Sequence, residues 1–129
     1  MVIQKIGIIG GTGKEGKGLA FRWAKAGYEI LIGSRQIEKA QIATDEVNQI
    51  LGGHSEKVKG VTNLEAAELG DVVVLTVPYS AHQSMINDIA GVIKNKILID
   101  VTVPLIPPKV TKVQMPLAGS AAQEAKLLV

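Results

Sequence analysis

Lys5-Ile6-Gly7-Ile8-Ile9-Gly10-Gly11-Thr12-Gly13-Lys14-Glu15-Gly16 decides the fold of this chain. The first half is a short apolar run without polar alternation, which predicts a strand buried on both faces, and two glycines close it. From about Lys14 the period changes, with Leu19, Ala20, Trp23 and Ala24 at helical spacing and Gly27 as a C-terminal stop. Strand, tight turn and helix thus follow one another directly.

Working outward, Tyr28 to Ile32 predicts a second strand and Gln36 to Leu51 a second helix, whose apolar positions are Ile37, Ala40, Ile42, Ala43, Val47 and Ile50. Val58 to Val61 predicts a short strand. Asn63 is placed to cap a short helix reaching Leu69, because its side chain can accept from the first free N–H groups. Asp71 to Val77 is the strongest strand signal, dominated by β-branched residues. A helix from Ser80 to about Ile93, a strand from Lys96 to Val101, a proline-rich loop and a final helix from Ser120 to Leu128 complete the pattern. Strands alternating with helices predict an α/β fold of the Rossmann type, a doubly wound parallel sheet with helices on both faces, over residues 1–129 as one domain.

Between its strand and its helix, Gly11-x-Gly13-x-x-Gly16 predicts a diphosphate cradle. The first glycine permits the turn, the second lets backbone approach the anion, and the third lets helix pack on strand. The helix N-terminus then favours negative charge. A ligand-free glycine turn is the plainer alternative. In another register, Gly11 through Gly16-Lys17 approaches the phosphate loop of nucleoside triphosphatases, with Asp100 as its acid, but Gly18 stands where that loop needs a hydroxyl for magnesium.

At the end of the second strand, where NAD-selective domains carry an acid, the sequence reads Gly33-Ser34-Arg35. An arginine there can pair with the 2′-phosphate of NADP through two N–H donors, and Lys39 adds a second cation one helical turn on. The plainer alternative is a solvated helix surface with Glu38 neutralising Lys39. NADP(H) is therefore the expected cofactor.

With 14 Lys+Arg against 12 Asp+Glu, the chain lacks the polybasic field of a nucleic-acid binder, and aromatics at 3% provide no stacking platform. There are no cysteines, hence no disulfide or thiolate metal site, and no metal ligands are assigned. No apolar run is long enough for a signal core or a membrane span, so a cytoplasmic protein is expected, with small-molecule partners. His82, near the cofactor edge, is expected to be an exposed helical histidine, and His54 to be loop surface.

Taken together, Gly10-Gly11-Thr12-Gly13 with Gly16-Lys17-Gly18-Leu19-Ala20, Ile32-Gly33-Ser34-Arg35 with Glu38-Lys39-Ala40, Val77-Pro78-Tyr79, Asp100 to Leu105 and Gly119 to Ala122 resemble a known family. It is the NADPH-dependent reductases of the deazaflavin coenzyme F420, within a broader group that includes pyrroline-5-carboxylate reductases. The resemblance implies reversible hydride transfer between NADP(H) and the deazaflavin. It also implies that Thr12, Gly13, Lys14 and Glu15 meet the diphosphate, and that Ser34, Arg35 and Lys39 hold the 2′-phosphate. Thr76, Val77, Pro78 and Tyr79 would line the nicotinamide side, and Leu105 would approach it. A hydride passes directly between stacked rings, so no catalytic residue is assigned. Members of that family continue into a helical region that completes the deazaflavin pocket and a dimer. This sequence ends at Val129, so a homo-oligomer, or a dinucleotide-binding module without catalysis of its own, is also expected.

Overall fold

Strands covered on both faces must be apolar, and Ile6–Ile9, Ile30–Gly33 and Val72–Leu75 are buried throughout, whereas the segments 58–62 and 97–100 are partly exposed. The computed structural model describes residues 2–53, 56–102 and 119–128. Its strands are β1 (Lys5–Ile9), β2 (Glu29–Ser34), β3 (Val58–Thr62), β4 (Val72–Leu75) and β5 (Ile97–Asp100). They form one parallel sheet in the order β3-β2-β1-β4-β5. The helices are α1 (Lys14–Lys25), α2 (Ile37–Ile50), α3 (Asn63–Leu69), α4 (Tyr79–Ile89) and α5 (Ala121–Leu128).

Because side chains alternate along a strand, each strand feeds two cores. Ile6, Ile8, Ile30, Ile32, Val72 and Val74 pack with Ala20, Ala24, Ala43 and Val47 of α1 and α2. Ile9, Leu31, Val73 and Leu75 pack on the other face with α3, α4 and Ala125 of α5. α3 lies so close to β1 that a Cβ on Gly7 would sit 2.0 Å from the Ala66 carbonyl oxygen. The Rossmann-type architecture is as the sequence predicts.

Several boundaries and faces differ from expectation for local reasons. On α2 the buried stripe is Ala40, Ala43, Thr44 and Val47, whereas Ile42 and Ile50 are 59% and 67% exposed. Two residues along a helix is a turn of about 200°, which carries Ile42 away from the face of Ala40. α3 is capped by Thr62, not Asn63: the Thr62 hydroxyl accepts from the Glu65 N–H while the Glu65 carboxylate accepts from the Thr62 N–H. β4 stops at Leu75, short of Val77, because β1 turns away at Gly10 and the Thr76 N–H to Ile9 carbonyl bond is the last on that side. No helix among the described residues is long and apolar enough to cross a membrane.

Candidate functional site

The chain leaves β1 through α1 on one face of the sheet and leaves β4 through α4 on the other. The loops at the carboxyl ends of β1 and β4 therefore diverge and open a crevice between them. The glycine loop forms one wall. Its left-handed residue is Gly10 (φ +67°), where a Cβ would also strike Val77 Cγ1 at 2.6 Å. The turn thus depends on Gly10, not on Gly11 as the motif suggests. Gly11 serves close packing instead: a Cβ on Gly16 would lie 2.6 Å from Gly11 Cα, so the first turn of α1 rests directly on the loop.

Distant residues hold this loop in place. The Gly11 N–H donates to the Gly33 carbonyl (2.9 Å) and the Gly10 N–H to Asn63 Oδ1 (2.9 Å). The Thr76 hydroxyl is within donor reach of the carbonyls of Ile9 (2.9 Å) and Gly10 (3.1 Å). Gly13 is the opposite case. It is exposed, nothing lies within 4 Å of the Cβ it lacks, and as N-cap of α1 it offers no capping side chain. The first-turn N–H groups of α1 thus have no side-chain acceptor, and the approach to them is open.

The second wall comes from the end of β2. Ser34 is buried, and its hydroxyl accepts from the Gln36 N–H (3.2 Å) in a turn that carries Arg35 outward. Arg35 and Lys39, both exposed, border a cleft of about 310 Å³ together with Thr12, Ser34, Asn63, Val77 and Pro78. Gly10, Gln36, Ala81 and Met85 complete its lining. Two cations and no carboxylate face this space, and among the described residues neither cation forms an ion pair. Glu38 does not neutralise Lys39.

Of the residues singled out in the sequence, Thr12, Ser34, Arg35, Lys39, Val77 and Pro78 meet around this one cleft. Gly13 lies at the exposed tip of the glycine loop, and Gly11 and Gly16 are buried beneath it. Lys14 and Glu15 are exposed and begin α1, so their N–H groups belong to its first turn. Thr76 spends its hydroxyl on the loop. Tyr79 opens α4, and its hydroxyl donates to Glu124 of α5 (2.7 Å); that bond, with burial, raises the tyrosine pKa. Leu105 and His54 lie outside the described residues.

His82 overturns its expectation. It is 2% exposed, not on the surface, and its Nε2 lies 2.7 Å from Asp100 Oδ2. Asp100 is so engaged and Lys17 is paired to Glu46 on α2, so both charged groups of the triphosphatase alternative have protein partners here. No group of three or more acidic or histidine side chains among the described residues could hold a metal. Asn63, Ala81 and Met85 escaped the sequence. In sequence Asn63 reads only as a cap, and the other two carry no chemical signature that distinguishes them from core.

The chain is matched over residues 5–104 by the family model for NADP oxidoreductase, coenzyme F420-dependent. It is 48% identical over 105 residues to the F420-dependent NADP reductase of Methanothermobacter thermautotrophicus, a match covering 81% of this chain and 45% of that protein. Among solved structures, it superposes with TM-score 0.75 and 23% identity on an Arthrobacter protein provisionally assigned as an F420-dependent NADP reductase. That match covers 98% of this chain and 58% of the other. Pyrroline carboxylate reductase of Plasmodium falciparum, solved with NADP bound, gives TM-score 0.53 at 19% identity, covering 86% and 37% of the two chains. The chain spans about half the length of the curated relatives it matches.

Proposed function

We propose that this chain, which belongs to the coenzyme F420-dependent NADP oxidoreductase family, holds NADP(H) in the cleft between the glycine loop and the end of β2. The observation that carries this reading is the charge of the cleft: among the described residues Arg35 and Lys39 face it without an ion pair, and no acid lines it. A 2′-phosphate is recognised by such a pair, whereas the ribose hydroxyls of NAD call for a carboxylate. The open approach at Gly13 and the uncapped first turn of α1 suit the diphosphate, with Thr12, Gly13, Lys14 and Glu15 around it. Asn63, which borders the cleft, adds an amide whose Oδ1 already accepts from the Gly10 N–H and whose NH₂ can still donate. Val77 and Pro78 line the side left for the nicotinamide half, Thr76 and Tyr79 flank them along the chain, and the same proposal has Leu105 approach the nicotinamide.

When bound, the cofactor supplies hydride exchange with a second ring, and the relatives' names make coenzyme F420 the proposed partner in it. This chain's part is to bind, orient and exclude water. The surface that receives the deazaflavin, and assembly as a homo-oligomer in the cytoplasm, belong to the same proposal. Arg35→Ala tests it through NADP⁺ and NAD⁺ dissociation constants. Loss of charge-assisted hydrogen bonds worth about 1.5–3 kcal/mol should weaken NADP⁺ by roughly 10- to 150-fold, with NAD⁺ changed by less than about threefold. Equal, small effects on both would remove the assignment.

A further inference from the structure

The pair His82–Asp100 is buried on both sides, with side chains 2% and 3% exposed, and neither residue borders the cofactor cleft. Burying such a pair is costly unless its geometry is good, so its position calls for an account. Asp100 ends β5 beside Leu75, the last residue of β4: the two are register partners, and the Val101 N–H donates to the Leu75 carbonyl (3.2 Å). His82 stands on the first turns of α4, seven positions beyond Leu75 along the chain. The segment from Leu75 to His82 therefore leaves β5 at one end and is tied back to it at the other. Val77, Pro78 and Ala81 of the cleft's far wall lie inside that closed segment, and Met85 follows one helical turn after His82.

Asp100 is itself fixed, since its Oδ1 accepts from the Thr102 N–H (3.0 Å) while Oδ2 meets the imidazole. The first turn of α4 is braced again from the side by Tyr79 and Glu124. Backbone ladder, carboxylate and phenol thus converge on a turn whose first residue, Thr76, is tied to the Ile9 and Gly10 carbonyls and whose far side has, locally, Pro78 and the Ala81 N–H to Pro78 carbonyl bond.

We infer that His82 and Asp100 are positioning residues, which hold the β4–α4 turn at the height where it meets the nicotinamide half of the dinucleotide. The inference rests on the cofactor reading above. It predicts an asymmetry that a merely stabilising contact would not produce. Thr76 ties this segment to the Gly10 carbonyl, but the glycine loop is also held by Asn63 and the Gly33 carbonyl, and the Ser34–Lys39 corner by its own turn, so the adenosine half of the site should feel loss of the pair far less than the nicotinamide half.

The test uses the full chain and two probes, NADP⁺ and adenosine 2′,5′-bisphosphate, which carries the 2′-phosphate but no nicotinamide. In His82→Leu the dissociation constant of NADP⁺ should rise about tenfold, the order of one lost hydrogen bond's worth of alignment, while that of the bisphosphate stays within about twofold. His82→Gln, whose amide can still donate to Asp100, should recover most of the difference. Should the leucine variant fail to fold, as judged by far-UV circular dichroism, His82→Phe, which keeps a flat ring but offers no nitrogen to Asp100, should show the same one-sided loss. Parallel weakening of both probes, or no weakening of NADP⁺ in a folded variant, would overturn the positioning role. A wild-type chain that binds neither probe would instead overturn the cofactor reading, and this inference with it.

Discussion

Replacing Gly16 by alanine should destabilise the protein although it improves the helix. The added Cβ would lie 2.6, 2.7 and 2.8 Å from Gly11 Cα, carbonyl oxygen and carbonyl carbon. Ordinary carbon contacts are about 3.5–4.0 Å, so the first turn of α1 must lift by roughly 1 Å. Overpacking of this kind costs about 1–3 kcal/mol, and the upper part applies because both sides are backbone with no rotamer to change. Alanine returns about 1 kcal/mol of helix propensity, leaving a net loss of about 1–2 kcal/mol. Gly18 supplies the control within the same helix: the nearest atom to a Cβ there is Arg22 Nη1 at 3.7 Å, an ordinary contact. Gly18→Ala should therefore gain up to about 1 kcal/mol. For a chain of 129 residues the two variants should melt roughly 6–15 °C apart, at about 3–5 °C per kcal/mol. Thermal unfolding followed by circular dichroism measures the gap. A Gly16→Ala protein that melts at or above Gly18→Ala would refute the close contact of helix and loop.

Gly13→Ala separates ligand from fold, because the new methyl enters open space at the loop tip. Stability should change by less than about 0.5 kcal/mol, while NADP⁺ affinity measured by calorimetry falls at least severalfold; unchanged affinity would show that no diphosphate approaches there. Asp71 links acid to stability: its carboxylate accepts from the N–H groups of Lys5 (2.9 Å) and Gln4 (2.8 Å), and those bonds lower its pKa from the ordinary 3.8. With the folded value depressed, its contribution is present above the ordinary value and is lost as pH falls through the folded one. Asp71→Asn should therefore be less stable than wild type at pH 7 and converge with it near pH 2 in urea titrations; a constant difference at all pH values would contradict the linkage.

The sheet was legible because buried parallel strands leave an unambiguous signature. Segments such as Ile6–Ile9 and Val72–Leu75 have no polar face to confuse the reading. The corner Ser34-Arg35 was legible because motif spacing fixes where a second strand must end. Residues whose role depends on distant partners were not. His82 occupies a helical position that sequence alone cannot orient, and the carboxylate that makes its burial tolerable is 18 residues away. Asn63 begins a helix in a way that any local rule reads as a cap, yet the capping oxygen belongs to Thr62 and the Asn63 amide reaches Gly10. Ile42 and Ile50 were placed by hydrophobicity, whereas the angle around α2 decided against them.

The glycine loop is contiguous in sequence, but its anchors are not. The bond from the Gly10 N–H spans 53 residues to Asn63, and the Thr76 hydroxyl reaches back across 66 and 67 residues. Such long closures are paid for late, after intervening strands have ordered. During synthesis the motif therefore leaves the ribosome long before it can have its binding shape, and a peptide cut after α1 would carry every glycine yet lack the cradle. Competence for the anion arrives together with β4. A ligand that selects this geometry would consequently stabilise the whole sheet and not one turn, so dinucleotide should slow hydrogen exchange in β4 and α3 as well as in the loop.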